Sequence, residues 1–199
     1  MVFKRLNNQW GFALSVMLLV LLAYVIDPSH LSYRRDQIAA GAWWQIFSAN
    51  VLHTNGWHTL LNVLALGIIC QLFPWRLNFL RMWALFIALC FFQGVGLYLC
   101  YPTTQGFVGL SGILHGLFAF AVIIDIRHKD PWGYILLLAM LAKVFIEQWA
   151  GPHQFTGELI NARVAIEAHL IGIVAGMCLG ILMPTSARSC SVKQSSTQD

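Results

Sequence analysis

Two short words, far apart in the chain, carry residue types that can act together on a peptide bond. One is Gly109-Leu110-Ser111-Gly112, and the other is Ala168-His169-Leu170-Ile171-Gly172-Ile173-Val174-Ala175-Gly176. A serine hydroxyl is a weak nucleophile until a base removes its proton, and an imidazole is the commonest such base. Both words sit in apolar runs long enough to cross a bilayer. The chemistry they imply is hydrolysis inside a membrane, provided that the two residues share one depth and face each other.

The elements that must position them are apolar helices. The chain has 199 residues, of which 58% are hydrophobic and 10% charged, against about 25% charged in soluble domains. That balance excludes a water-soluble globule. Apolar runs cover residues 10–26, 57–73, 79–100, 110–126, 133–150 and 165–183, each near the ~20 residues that span ~30 Å of hydrocarbon. The expectation is an all-α integral membrane protein, a six-helix bundle over residues 1–184 with a polar, disordered tail over 185–199. Lys4 and Arg5 precede the first run as in a signal peptide, but no small-x-small cleavage site follows, so the run reads as a retained helix.

Basic residues orient the bundle. Lys4, Arg5, Arg76, Arg81, Arg127, Lys129, Arg188 and Lys193 fall on one side, and Arg34, Arg35 and Arg163 on the other. By the positive-inside rule both termini are cytoplasmic, and the net charge of +4 calls for no nucleic-acid partner. The five cysteines, at 70, 90, 100, 178 and 190, lack CxxC spacing and read as small buried fillers. Trp43, Trp44 and Trp57 flank the outer interface as an aromatic belt.

Depth follows from helix rise. Ser111 lies fourteen positions before Asp125, and His169 fourteen before Met183. At about 1.5 Å per residue both sit roughly 21 Å above the cytoplasmic boundary, or about 10 Å below the outer surface. His58 and Asn62 lie fifteen and eleven positions before Phe73, so polar residues of three helices converge on one layer. Polar side chains in hydrocarbon turn toward a protein interior or a water-filled cavity. The stretch 101–108, with Pro102 and Gly106, is not helical throughout and leaves Ser111 at a helix N-terminus, where free N–H groups favour developing negative charge.

Each residue also has a plainer role open to it. Ser111 can bond back to a helix carbonyl, and His169 can be a core histidine held by a backbone carbonyl. Gly172, Gly176 and Gly180 recur every four residues, and Gly112 and Gly116 form a matching pair. Close packing of those two faces would bring His169 onto Ser111. His58 and Asn62 share a helix face and, with the Ser111 N–H, can form an oxyanion hole or serve as polar glue between helices. His53 reads as a loop-bonding residue, and His115 as a residue that stacks beneath His169 and orients it. Lys143 and Glu147, four apart, read as a structural ion pair, with a substrate contact as the alternative. Glu167 falls on the opposite helix face from His169, so a Ser–His dyad is the simpler arrangement. A zinc site is disfavoured: H-E-x-x-H is absent, and the nearest acids are not at ligand spacing.

In order and helix placement, His53-x4-His58-x3-Asn62, Gly109-x-Ser111-Gly112 and Ala168-His169-x2-Gly172-x3-Gly176 resemble the rhomboid family of intramembrane serine proteases. The resemblance spans roughly residues 43–180. It implies Ser111 and His169 as the catalytic pair, His58 and Asn62 in the oxyanion hole, and His53 in support of the loop; His115, Gly109, Gly112 and Gly172 are read from their positions as further supporting residues, and no metal or cofactor is expected. His115 stands where rhomboids often carry a tyrosine, and the first loop reads Trp43-Trp44-Gln45 where many carry Trp-Arg. These departures, the compact size, the stretch VGLSGILHG and Lys143-x3-Glu147-Gln148-Trp149 look most like the rhombosortase subgroup. That likeness implies a bacterial inner-membrane enzyme whose partners are transmembrane substrates, exported proteins with a C-terminal Gly-Gly tail. Competing readings are a general rhomboid protease for other single-span proteins and a non-catalytic rhomboid-like client-binding protein. A small transporter would show repeated, interrupted helices in two halves, and none is visible.

Overall fold

Runs this apolar leave the backbone as their main polar group, and an α-helix satisfies that group internally. The computed structural model describes residues 2–23 and 28–184, with side chains from residue 8 onward. All six expected runs are helical where described: α1 (Val2–Ala23), α5 (Gly56–Leu72), α6 (Phe79–Cys100), α7 (Ser111–Arg127), α8 (Pro131–Ala150) and α10 (Ile166–Leu182). Short helices fill the connections: α2 (Pro28–Leu31), α3 (Arg35–Ala39), α4 (Gln45–Ser48) with a 3-10 turn at Ala49–Val51, and α9 (Gln154–Ile160). By length and composition α6 and α8 can cross a membrane, and Asn8–Ala23, Gly56–Leu72 and Ile166–Leu182 are shorter apolar helices. The expected tail, with Cys190, Arg188 and Lys193, lies outside the described residues, as do the side chains of Lys4 and Arg5.

Local chemistry sets the helix starts. Asn55, Asn78 and Asp130 cap α5, α6 and α8 by accepting the backbone N–H of His58, Arg81 and Trp132, and Pro131 occupies the first turn of α8. The helices α7 and α10 begin differently. Leu110 and Ala165 precede them and supply no side-chain cap.

The core is organised around α7, apolar and enclosed on most of its circumference, as expected of a buried helix. Its most extensive partner is α10. Glycines set the distance between them: a Cβ on Gly172 would run into the Gly112 carbonyl, and one on Gly176 into the Gly116 carbonyl. A Cβ on Gly112 would meet the Gln93 side chain and the Ala168 carbonyl. At the far end, Arg127 donates from Nη1 to the carbonyls of Gly180 and Met183, both at 2.6 Å, closing the pair.

A lid of short elements covers the other end. Strand β1 (Tyr33–Arg34) pairs antiparallel with β2 (Gly106–Phe107), matching Tyr33 with Phe107 and Arg34 with Gly106. Tyr33, Ile38, Ile46, Ala49, Leu97, Phe107 and Ala168 form one buried cluster beneath it. Arg35 lies over the Tyr98 ring, 4.5 Å from its centre, and donates to the Tyr98 carbonyl at 2.7 Å. Cys70 and Cys90 are buried fillers, as expected, whereas Cys100 and Cys178 are exposed at helix surfaces; all four are free thiols.

The glycine contacts predict that Gly176→Val, which must push α7 and α10 apart, costs at least about 1–3 kcal/mol. Gly67, with open space around it, should instead accept alanine with a gain of about 0.5–1 kcal/mol. Thermal unfolding of both variants in one detergent, read as opposite shifts of the midpoint, checks the pair.

Candidate functional site

Ser111 is the first residue of α7, where the opening N–H groups have no carbonyl one turn earlier to pair with. The irregular stretch before it is held in place by the β1–β2 pairing and by the Gly109 N–H, which donates to the Ala49 carbonyl at 3.0 Å. Gly109 has φ +137°, a conformation that side chains rarely adopt, and a Cβ there would lie 3.0 Å from Cε1 and Nε2 of His58. The glycine thus permits both the turn and the close approach of the His58 ring.

His169, on the first turn of α10, is buried, and its Nε2 lies 2.9 Å from Ser111 Oγ. The spacing suits transfer of the hydroxyl proton to the ring. The expected stacking of His115 is present: its ring lies nearly parallel to His169, 4.1 Å centre to centre with 18° between planes. His115 Nδ1 is 2.7 Å from the Ser111 carbonyl, within its own helix.

His58 and Asn62 are both buried on the inner face of α5. His58 Nδ1 meets Thr54 Oγ1 at 3.1 Å, and its opposite edge faces Gly109. The Asn62 amide donates to the His58 carbonyl at 3.0 Å, so one of its two N–H bonds serves its own helix and only the other is left for a ligand. His53 supports the site through ring packing, edge-to-face on His58 at 4.8 Å, where a loop-bonding role was expected. The same loop is tied to α9 by Thr54 Oγ1 donating to the Ile160 carbonyl at 2.6 Å and Asn55 Nδ2 to the Leu159 carbonyl at 3.0 Å.

The acid beside the histidine is the main departure from the sequence reading. Lys143 and Glu147 do pair, at 2.7 Å, but the second carboxylate oxygen of Glu147 lies 3.0 Å from His169 Nδ1. The pair thus bears on His169, a contact that neither the structural nor the substrate-contact reading of the sequence named. The signal was available: Ser111 stands sixteen residues before the end of α7, and Glu147 sixteen after the start of α8, so about 24 Å of rise brings both to one level. Gln148 secures this register by donating to the Ile166 carbonyl at 2.9 Å. Glu167 faces away from His169 as expected; it binds Arg163 at 2.8 Å and Thr104 at 2.9 Å, tethering the stretch before β2.

His115, Glu147 and His169 present three metal-ligand atoms within 4.8 Å of one another. The Lys143 ammonium already bonds His115 Nε2 and Glu147 Oε1, each at 2.7 Å, so a metal ion would have to displace a cation there.

A Rhomboid domain profile matches residues 40–186, most of the chain. YdcA, a candidate rhomboid protease of Bacillus subtilis (strain 168), is 22% identical over 190 residues, covering 90% of both chains. The chloroplastic rhomboid-like protein 11 of Arabidopsis thaliana is 28% identical over 170 residues, covering 78% of this chain and 59% of that relative. With the profile spanning well over half its length, the chain belongs to the rhomboid family.

Proposed function

We propose that this protein is an intramembrane serine endopeptidase in which Ser111 is the nucleophile and His169 the general base. The observation that carries the reading is the 2.9 Å contact between Ser111 Oγ and His169 Nε2, made at an uncapped helix N-terminus. As Ser111 Oγ attacks a substrate carbonyl carbon, His169 Nε2 takes the hydroxyl proton. It then returns that proton to the leaving amine, giving an acyl-enzyme that water resolves by the same route. The tetrahedral oxyanion is met by N–H groups of the first turn of α7, with the remaining Asn62 N–H and His58 as further donors, the latter in the tautomer whose Nδ1 accepts from the Thr54 N–H and whose Nε2 carries the proton.

The site lies at one end of six apolar helices, which in this reading span a bacterial inner membrane with both termini cytoplasmic. At about 10 Å below the outer surface, a substrate helix must unwind to present its peptide bond. Glycines make unwinding cheap and pass a narrow opening, which supports a C-terminal Gly-Gly tail on exported proteins as the substrate, in the manner of the rhombosortase subgroup.

Cleavage of a Gly-Gly tailed membrane reporter tests this directly. Wild type should cut near the glycines; Ser111→Ala should abolish cleavage and His169→Ala lower it by about 10²–10⁴-fold or more. Cleavage of an ordinary single-span rhomboid substrate with an untouched Gly-Gly reporter would replace the proposed specificity by a general one. Undiminished cleavage by either variant would refute the catalytic pair. Asn62→Ala should lower kcat by up to about 10²–10³-fold with little change in KM, the mark of a group used in the transition state.

A further inference from the structure

We propose that Glu147 is a positioning residue for His169, and that Lys143 and His115 complete a closed hydrogen-bond circuit that fixes the tautomer and orientation of the ring. The inference rests on the serine protease reading above. The circuit runs from Ser111 Oγ to His169 Nε2 (2.9 Å), from His169 Nδ1 to Glu147 Oε2 (3.0 Å), and from Glu147 Oε1 to Lys143 Nζ (2.7 Å). It returns from Lys143 Nζ to His115 Nε2 (2.7 Å) and from His115 Nδ1 to the Ser111 carbonyl (2.7 Å).

Donor and acceptor chemistry leaves one consistent proton arrangement. An ammonium only donates and a carbonyl only accepts, so His115 carries its proton on Nδ1 and offers a bare Nε2 to Lys143. Its ring is neutral and committed at both ends, and it stacks on His169 without competing as a base. An ionised carboxylate only accepts, so His169 carries its proton on Nδ1 toward Glu147. In the neutral ring Nε2 is then the acceptor for the Ser111 hydroxyl, the tautomer that the first chemical step requires.

The lysine holds the carboxylate. With Lys143 Nζ 2.7 Å from Glu147 Oε1, the acid is fixed from one side while its other oxygen, Oε2, meets His169 Nδ1 at 3.0 Å. The groups around His169 are Glu147 and Lys143 from α8, Ser111 and His115 from α7, and His58 from α5. Glu147 is one-sixth exposed and Lys143 nearly half, so the ion pair reaches the outer flank of the bundle while the ring it serves is buried.

A fluorophosphonate probe reads this network without any assumption about substrate. Ser111 Oγ bonds to phosphorus, the P–F bond breaks with loss of fluoride, and the hydroxyl proton passes to His169. On the full chain in detergent, wild type should label at Ser111 and Ser111→Ala should not. Glu147→Gln should lower the inactivation rate constant by about 10²–10⁴-fold, the share that a correctly poised base contributes, with the probe's apparent affinity unchanged. Glu147→Asp should recover part of the loss, and thermal unfolding of each variant separates misfolding from mispositioning. Lys143→Met should also slow labelling, and adding it to Glu147→Gln should cost little more, as for members of one network. Wild-type rates in folded Glu147→Gln, or fully additive losses in the double variant, would overturn the circuit and leave the protease reading standing. Absence of Ser111 labelling in wild type would refute the protease reading itself.

Discussion

Two helix backbones, α7 and α10, approach each other with no side chain between them, and the rest of the molecule is arranged to permit it. Hydrocarbon gives no hydrophobic drive for one apolar helix to prefer another, so association depends on packing and on polar contacts. Glycines at 112, 116, 172 and 176 let carbonyls of one helix lie where Cβ atoms of the other would be. A methyl group at any of the last three needs a shift comparable to the tolerance of a hydrogen bond. The 2.9 Å contact between Ser111 and His169 is therefore a property of the glycine ladder below it as much as of the two residues.

Several polar groups set into this apolar frame are paired, although Tyr33 Oη, Gln93 Oε1 and both ring nitrogens of His53 are buried without a hydrogen-bond partner. Gln93 donates to Asn50 at 2.7 Å, joining α6 to the covering layer, and Asn50 in turn donates to the Ile46 carbonyl at 2.8 Å. Arg163, Glu167 and Thr104 anchor the irregular stretch that precedes Ser111. An unpaired polar group in hydrocarbon costs several kcal/mol, so each partnership specifies one arrangement over its neighbours. The same cost leaves the N-termini of α7 and α10 conspicuous, because they alone among the long helices with a described start lack a side-chain cap.

Much of this was legible in the residues. Six apolar runs placed the long helices within a few positions, because hydropathy over ~20 residues is a strong signal. Rise per residue put Ser111 and His169 at one level, and the four-residue glycine spacing turned them toward each other. Glu147 was misjudged for a definite reason: its pairing with Lys143 at i,i+4 explained it completely within one helix, and nothing in that local pattern reports the third partner. Asn62 was half-read, since an amide on a helix face can serve a ligand or its own carbonyl row. The two-residue strands carry too little alternation to be seen. Their pairing is fixed by the loops that tertiary packing brings together.

One feature of α8 reaches beyond the protein. Gly133, Met140 and Val144 face the bundle, while Ile135, Leu138, Phe145, Ile146 and Trp149 are exposed. Yet this helix supplies the carboxylate that touches the most enclosed side chain of the site. The chain alone covers one flank of α8, and in a bilayer the other flank is covered by acyl chains. The carboxylate that meets His169 is thus carried by a helix packed against protein on one flank only, so its placement depends on what surrounds the chain as well as on the chain's own contacts.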